Sequence, residues 1–354
     1  MRKFIYATLA LCAMACSNIK EELTIEQKAA KLLIVGMDGT EIAPQCPTTK
    51  AVEELGVSGV ILFERNIATM ESLKKLCYDL QTLSPEDLFI AIDQEGGRVN
   101  RMKTKYGFQE MISQKEAAAS DKLARQTSAT IASALAEMGI NLNFSPCVDT
   151  ESNPDCPVIG KLDRSFSSDS RRVGFLSEIY INEHHRRGIL TSLKHFPGHG
   201  SSLKDSHNGF TDITNSWSED ELAPFKYLIE RDLCDMIMVS HLFNESIDKE
   251  YPATLSKATI DGLLREKMGW RGVVITDDMQ MRAITDHYGF DEAIVLAINA
   301  GVDLFIIGGN IIRDSISVPE RFVSVIVEAI ESGKITIEQL DKAVERIESL
   351  RERL

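Results

Sequence analysis

The chain lacks any CxxC pair, although it carries seven cysteines in 354 residues. That absence excludes the zinc ribbons and redox dithiols that depend on this spacing. Cys12 and Cys16 fall in the leader, leaving Cys46, Cys77, Cys147, Cys156 and Cys234, an odd and scattered set that reads mostly as buried free thiols. A Cys147–Cys156 bridge stays open on sequence grounds. Excess positive charge is also lacking: 39 Lys and Arg against 53 Asp and Glu give a net charge of −14. No phosphate-neutralising surface follows from that balance, so nucleic acid is not an expected partner. No low-complexity linker or composition break divides the chain, and one large domain is expected over residues 24–354. Nor is any apolar run long enough to span a bilayer as a permanent helix.

What is present begins with a leader. Met1-Arg2-Lys3 is a positive start, residues 4–15 are a short apolar run, and Ala15 precedes Cys16. This is the pattern of a bacterial lipoprotein signal, which would be removed so that a lipidated Cys16 begins the product and 17–23 form a tether. Ala13 stands where such signals prefer Leu, so ordinary signal cleavage and a buried N-terminal helix remain as alternatives. The expected location is the cell envelope after export, with the membrane met only through the anchor.

Beyond the leader, short apolar runs alternate with helical periodicity. Strands are predicted at 32–37, 57–63, 88–93, 141–146, 190–196, 236–241, 272–277 and 303–308. Amphipathic helices are predicted at 70–83, 117–138, 171–187, 218–231, 257–268, 291–300, 318–332 and 337–354. Eight βα units in one undivided α/β chain predict a TIM-type (β/α)8 barrel, with an open doubly wound sheet as the alternative.

The unusual residues follow these strands: Asp93-Gln94-Glu95-Gly96-Gly97-Arg98 after the third, Lys194 to Gly200 at the end of the fifth, Ser240-His241 after the sixth and Asp277-Asp278 after the seventh. In a barrel all these carboxyl ends ring one mouth, where catalytic groups act. One charged strand end is often only a cap or a solvated group, but four converging at one mouth favour a site.

At the level of whole motifs the chain resembles glycoside hydrolase family 3, in its β-N-acetylhexosaminidase branch. The resemblance rests on residues 93–101, on 194–200 with Asp205-Ser206-His207, on 251–256 and on 275–281, in that order, and runs from about Thr24 to Gly309. It implies removal of terminal β-linked N-acetylglucosamine from a glycan or glycopeptide such as a cell-wall fragment, without cofactor or metal. It also implies that Asp277 is the nucleophile, that Asp205 and His207 form an acid/base dyad, and that Asp93, Arg101, Arg164, Lys194 and His195 bind the sugar. The chemistry agrees. Retention needs one group to attack the anomeric carbon and another to protonate the leaving oxygen and later activate water. A strand-end carboxylate stays ionised at neutral pH, while an imidazole can give and regain a proton near neutrality, with a neighbouring Asp fixing its tautomer. Asp278 reads as a helix cap or loop holder and His199 as structural. Glu95, Arg98 and His241 read equally as supports of the site or as simple ion pairs.

Two departures from the family pattern stand out. Only about forty-five residues follow Gly309, too few for the second domain that supplies a glutamate in many members, which favours the His-dependent branch. Asn208-Gly209-Phe210-Thr211 replaces that branch's usual Gly-Leu-Pro, which puts loop packing and aglycone preference in doubt. Four alternatives remain on sequence alone. They are attack by the substrate's own acetamido group, phosphorolysis, a zinc hydrolase using His195, His199, Asp205, His207 and His241, and a lipid-anchored glycan-binding protein without catalysis. Pro197 and Gly198 count against the zinc reading, since they spoil the helix that a His195/His199 pair would need.

Overall fold

Eight runs rich in Val, Ile, Leu, Phe and Ala pair side by side and close on themselves. In the computed structural model, which describes residues 23–206, 209–309, 312–313 and 316–354, they are β1 (Leu33–Gly36), β2 (Gly59–Leu62), β3 (Phe89–Ile92), β4 (Leu142–Asn143), β5 (Leu190–Phe196), β6 (Met236–Val239), β7 (Val273–Asp278) and β8 (Leu304–Ile307). All neighbours are parallel, and β8 pairs with β1 to close the barrel. The TIM-type expectation is therefore met. Apart from Asp277 and Asp278, every strand residue is buried, as expected where helices cover the outside and side chains fill the inside. Cys16, expected to be lipidated, and His207, expected to carry the proton, lie outside the described residues.

Helices follow the strands where periodicity placed them, with local stop signals setting their ends. The long helix Asp121–Met138 starts at the Ser120 cap and ends at Gly139, whose left-handed φ of 80° suits glycine. It was expected from 117, but the chain breaks after the short helix Gln114–Ala117 and restarts at Ser120. The fifth strand lies where it was expected and the seventh one residue later, while the other six are two to four residues shorter than expected, because the ladder stops before the run of strand-like residues does. Two small pairs were not foreseen: Thr211–Asp212 with Leu242–Phe243, and Ile312–Arg313 with Ile316–Ser317. Among the described residues, no helix is long and apolar enough to cross a membrane. Cys147 and Cys156 share a small buried cluster as free thiols.

The amino-end face of the barrel is stitched by buried ion pairs. Asp303, just before β8, accepts the amide of Val274 at 2.8 Å and meets Arg265 at 2.8 Å and Arg346 at 2.7 Å. Asp235, just before β6, accepts the amide and hydroxyl of Thr191, both at 2.8 Å, and pairs with His185 and Arg353. Arg346, from the last helix Ile337–Arg351, and Arg353 just beyond it thus lock the chain's end onto the strands. Replacing Arg265 with Met should strand much of the Asp303 charge and lower unfolding stability by about 3 kcal/mol. A urea midpoint identical to wild type would show instead that Arg346 suffices.

Candidate active site

At the opposite face, both irregularities of the barrel ladder coincide with predicted site residues. Between β5 and β6 the register runs Leu193 to Ile237 and then Phe196 to Val239, so β5 carries one extra residue across Lys194 and His195. Between β8 and β7 it runs Leu304 to Ile275 and then Ile306 to Asp278, so β7 carries one extra residue at Thr276 and Asp277. A bulge re-aims the side chains it carries, which is how a buried strand presents polar groups to a mouth.

The five residues predicted to bind the sugar come together. Lys194 Nζ lies 2.8 Å from Asp93 and 2.6 Å from Glu95. Glu95 takes two parallel bonds from Arg164, both at 2.8 Å, the fork geometry that makes arginine pairs directional. Arg164 continues to His195 Nε2 at 3.2 Å, and His195 Nδ1 meets Asp149 at 2.6 Å. Arg101 approaches Asp93 at 3.6 Å from the exposed side, and Gln94 fixes its backbone by accepting its amide at 2.9 Å. Burial alone would raise the carboxyls of Glu95 and Asp149. Arg164 and Lys194 outweigh it at Glu95, and His195 does so at Asp149, so both are held well below the usual range. Burial likewise works against the Lys194 ammonium, yet Asp93 and Glu95 raise it. Glu95, Asp149, Arg164 and Lys194 are therefore each held in the charged form by the partners around them.

Glu95 is thus a buried member of the array, and Arg98 is exposed. His241 ties two strand ends together, through Thr254 at 2.8 Å and the Asp278 carbonyl at 3.1 Å. Asp278 holds a loop and caps no helix: its carboxylate accepts the Gln280 amide at 3.0 Å, and the next helix begins beyond Met281. Burial, helped by Asp277, pushes the Asp278 carboxyl up to about 6. Asp277, half-buried, accepts the Asp278 amide at 2.8 Å at the carboxyl end of β7. Asp205 is half-buried in the loop that leaves β5 for the same mouth.

Two buried acids that the sequence reading passed over anchor the start of that loop. Asp149 accepts the amides of His195 at 3.2 Å and His199 at 2.7 Å, and Glu221 accepts the amide of Gly200 at 3.0 Å. The chain passes so tightly that a Cβ on Gly200 would sit 1.7 Å from the Thr150 carbonyl oxygen. His199 is structural as expected, its ring bridging Ser202 at 2.8 Å and Ser206 at 3.1 Å. Burial, with the neighbouring His195, lowers it to about 4, so it is neutral. Asp93 directly follows β3, whereas Asp149 lies six residues beyond the end of β4, out of reach of the strand-end rule that found Asp93. Glu221 lies far along the chain from its partner and gave no signal.

The described histidines of the zinc alternative are all engaged by hydroxyl, carboxylate, carbonyl or guanidinium partners. A different trio, Cys147, Asp149 and His195, has ligand atoms within 4.8 Å of one another. Burial and then Asp149 push the Cys147 thiol far above its ordinary range, and the protonated sulfur donates to Asp149 at 3.1 Å.

An eight-stranded barrel with ionised groups gathered at its carboxyl-end mouth has the form of a barrel enzyme, and comparison places it. The chain belongs to the glycosyl hydrolase family 3, whose N-terminal domain matches residues 24–350. It is 32% identical over 330 residues to the beta-hexosaminidase A of Pseudoalteromonas piscicida, covering 86% of this chain and 55% of that one. With the beta-hexosaminidase of Tolumonas auensis it shares 36% identity over 261 residues, 72% of this chain and 76% of the other. A family 3 beta-N-acetylglucosaminidase structure from Paenibacillus sp. str. FPU-7 superposes with a TM-score of 0.85 at 34% identity, covering 94% of this chain and 63% of that one. The chain thus spans about half the length of the first relative and about three quarters of the second.

Burial pushes the Glu221 carboxyl up to about 7, with Asp149 adding to the effect. The folded chain therefore keeps a proton that the unfolded chain releases above about 4.5. This site's stabilisation is full below that value and is lost as pH rises through 7. Glu221→Gln, neutral throughout, should match wild type in thermal unfolding at pH 4.5 and exceed it at pH 8 by up to about 3 kcal/mol. A difference that does not grow with pH would refute the assignment.

Proposed function

We propose that this protein is a retaining exo-β-N-acetylglucosaminidase that hydrolyses terminal β-linked N-acetylglucosamine from glycans or glycopeptides such as peptidoglycan fragments. The observation that carries the reading is the chain of contacts from the half-buried Asp93 through the buried Lys194, Glu95, Arg164, His195 and Asp149, at the same barrel mouth as Asp277. In this reading Asp93, Arg101, Arg164, Lys194 and His195 hold the hydroxyls of the terminal sugar. Paired charges that are already ordered lose little freedom on binding and offer directional donors and acceptors.

Asp277 then attacks the anomeric carbon, and the bond to the leaving oxygen breaks as His207 donates its proton to that oxygen. The products of this step are a glycosyl ester on Asp277, a free aglycone hydroxyl and a neutral imidazole. Water next gives a proton to His207 and its oxygen to the anomeric carbon, releasing the carboxylate and regenerating the imidazolium. Asp205 orients the ring and stabilises its charged form. A neutral imidazole leaves the acceptor site uncharged at the second step, so phosphate as acceptor is a further outcome to test, read as a sugar 1-phosphate.

Asp277→Asn should lower kcat/KM on an aryl N-acetylglucosaminide by about 10³-fold or more. A 5-fluoro N-acetylglucosaminyl fluoride, which keeps the 2-acetamido group, should leave a glycosyl adduct on Asp277 that mass spectrometry detects. Strong inhibition by a thiazoline mimic without any adduct would replace the covalent mechanism with attack by the substrate's acetamido group. We also propose that Cys16 carries a lipid anchor after export. Cys16→Ser should move the protein from the membrane to the soluble envelope fraction, and a variant that stays membrane-bound would rule the anchor out.

A further inference from the structure

Beside the predicted acid/base loop, the rim of the mouth carries aromatic rings that the mechanism does not use. Phe210, from the loop after β5, is 40% exposed. Its ring centroid lies 5.2 Å from that of Phe243, after β6, and 5.6 Å from that of His287, after β7. Tyr288 follows His287, and Tyr251 lies 6.2 Å from Tyr288, so the rings run along three successive loops. The Thr211–Asp212 and Leu242–Phe243 pair ties the first two of these loops together just beyond Phe210 and fixes its approach to Phe243. An exposed ring buttressed by two others is unusual on a water-facing loop, where an aromatic side chain gains little unless something covers it.

We propose that Phe210, backed by Phe243 and His287, forms a platform on which the leaving-group sugar stacks, so that the protein selects a pyranose aglycone. The proposal rests on the reading of Asp205 and His207 as the acid/base pair. A proton donor must face the leaving oxygen, so the surface continuous with it is the leaving-group side of the site. Phe210 follows His207 by three residues, a chain length that reaches at most about 11 Å. The face of an aromatic ring carries negative potential and attracts the C–H groups that cover one face of a pyranose, whereas hydroxyls at the sugar's edge stay in water. The occupant is therefore a pyranose ring bound by its face. Phe210 acts here as a specificity residue, distinct from the ionised groups that hold the terminal sugar.

The test compares two substrates on the whole protein. One is the β-1,4-linked disaccharide of N-acetylglucosamine, whose leaving group is a sugar. The other is β-N-acetylglucosaminyl fluoride, whose leaving group is too small to reach the platform. Phe210→Ala should lower the ratio of kcat/KM for the disaccharide to kcat/KM for the fluoride by about tenfold. Phe210→Leu, which keeps apolar bulk but has no ring face, should fall similarly, and Phe210→Trp should restore the ratio. A ratio unchanged in Phe210→Ala, or retained in Phe210→Leu, overturns the platform. Equal losses on both substrates would also overturn it, since they would mark Phe210 as a packing residue of the loop. If wild type cleaves neither substrate, the glycosidase reading itself fails and takes the platform with it.

Discussion

Glu95 is the side chain on which the mouth of this barrel depends. It is almost wholly buried, and its two oxygens are shared between an ammonium and a guanidinium that are themselves buried. Taking any one of these ions from water is unfavourable by several kcal/mol, and only the complete set makes the arrangement tolerable. The array is cooperative for that reason. Lys194 cannot stay charged without Asp93 and Glu95, and Arg164 cannot hold its orientation toward His195 without the Glu95 fork. Evenly packed aliphatic residues would stabilise a barrel mouth more but would leave no directional donors or acceptors there. Preorganised charge is the alternative that binds without being reordered.

The two ends of the barrel use buried aspartates in different ways. At the amino end, Asp235 and Asp303 each accept a strand amide and are neutralised by basic residues, some of them from the chain's own C-terminal segment, so charge there closes the fold. At the carboxyl end, Asp149 accepts the amides of His195 at the end of β5 and of His199 in the loop beyond, together with a bond from the His195 ring, and Glu221 accepts the Gly200 amide with no cation paired to it among the described residues. Charge there shapes loops. Glu221 shows the consequence, since burial, with the Asp149 charge adding to it, is what lifts its carboxyl toward neutrality.

The architecture was legible because parallel barrel strands are covered on both faces and so read as unbroken apolar runs, each followed by a helical period. The strand ends were less so. β4 contributes only Leu142 and Asn143 to the ladder, because beyond them the backbone turns to carry Cys147 and Asp149 toward β5, and hydropathy does not record that turn. Residues with charged or polar side chains at strand ends were found by that position alone, which is why Asp93, Lys194, His195 and Asp277 were visible. Glu221 was not, since its meaning comes from an amide twenty-one positions away. Glu95 and His241 were seen but could not be sorted, because burial and partner identity decide between a solvated ion and an array member, and both are properties of the fold.

The division of labour that the proposed mechanism requires matches how the chain is held. A nucleophile must stay fixed while the anomeric carbon moves toward it, and Asp277 stands on a barrel strand, its carboxylate oriented by the next residue's amide. A proton carrier must serve two oxygens in turn, the departing one and that of incoming water, which differ in position. A loop suits that task better than a strand. The chain anchors this loop as far as Ser206 through the neutral His199 ring and gives the dyad positions on either side of that serine. Because His199 is held neutral by burial, its bond to Ser206 does not respond to pH near neutrality. The anchor therefore stays constant under the conditions in which the proposed mechanism has the next residue exchange a proton, so that holding the loop and moving the proton fall to different groups in that reading.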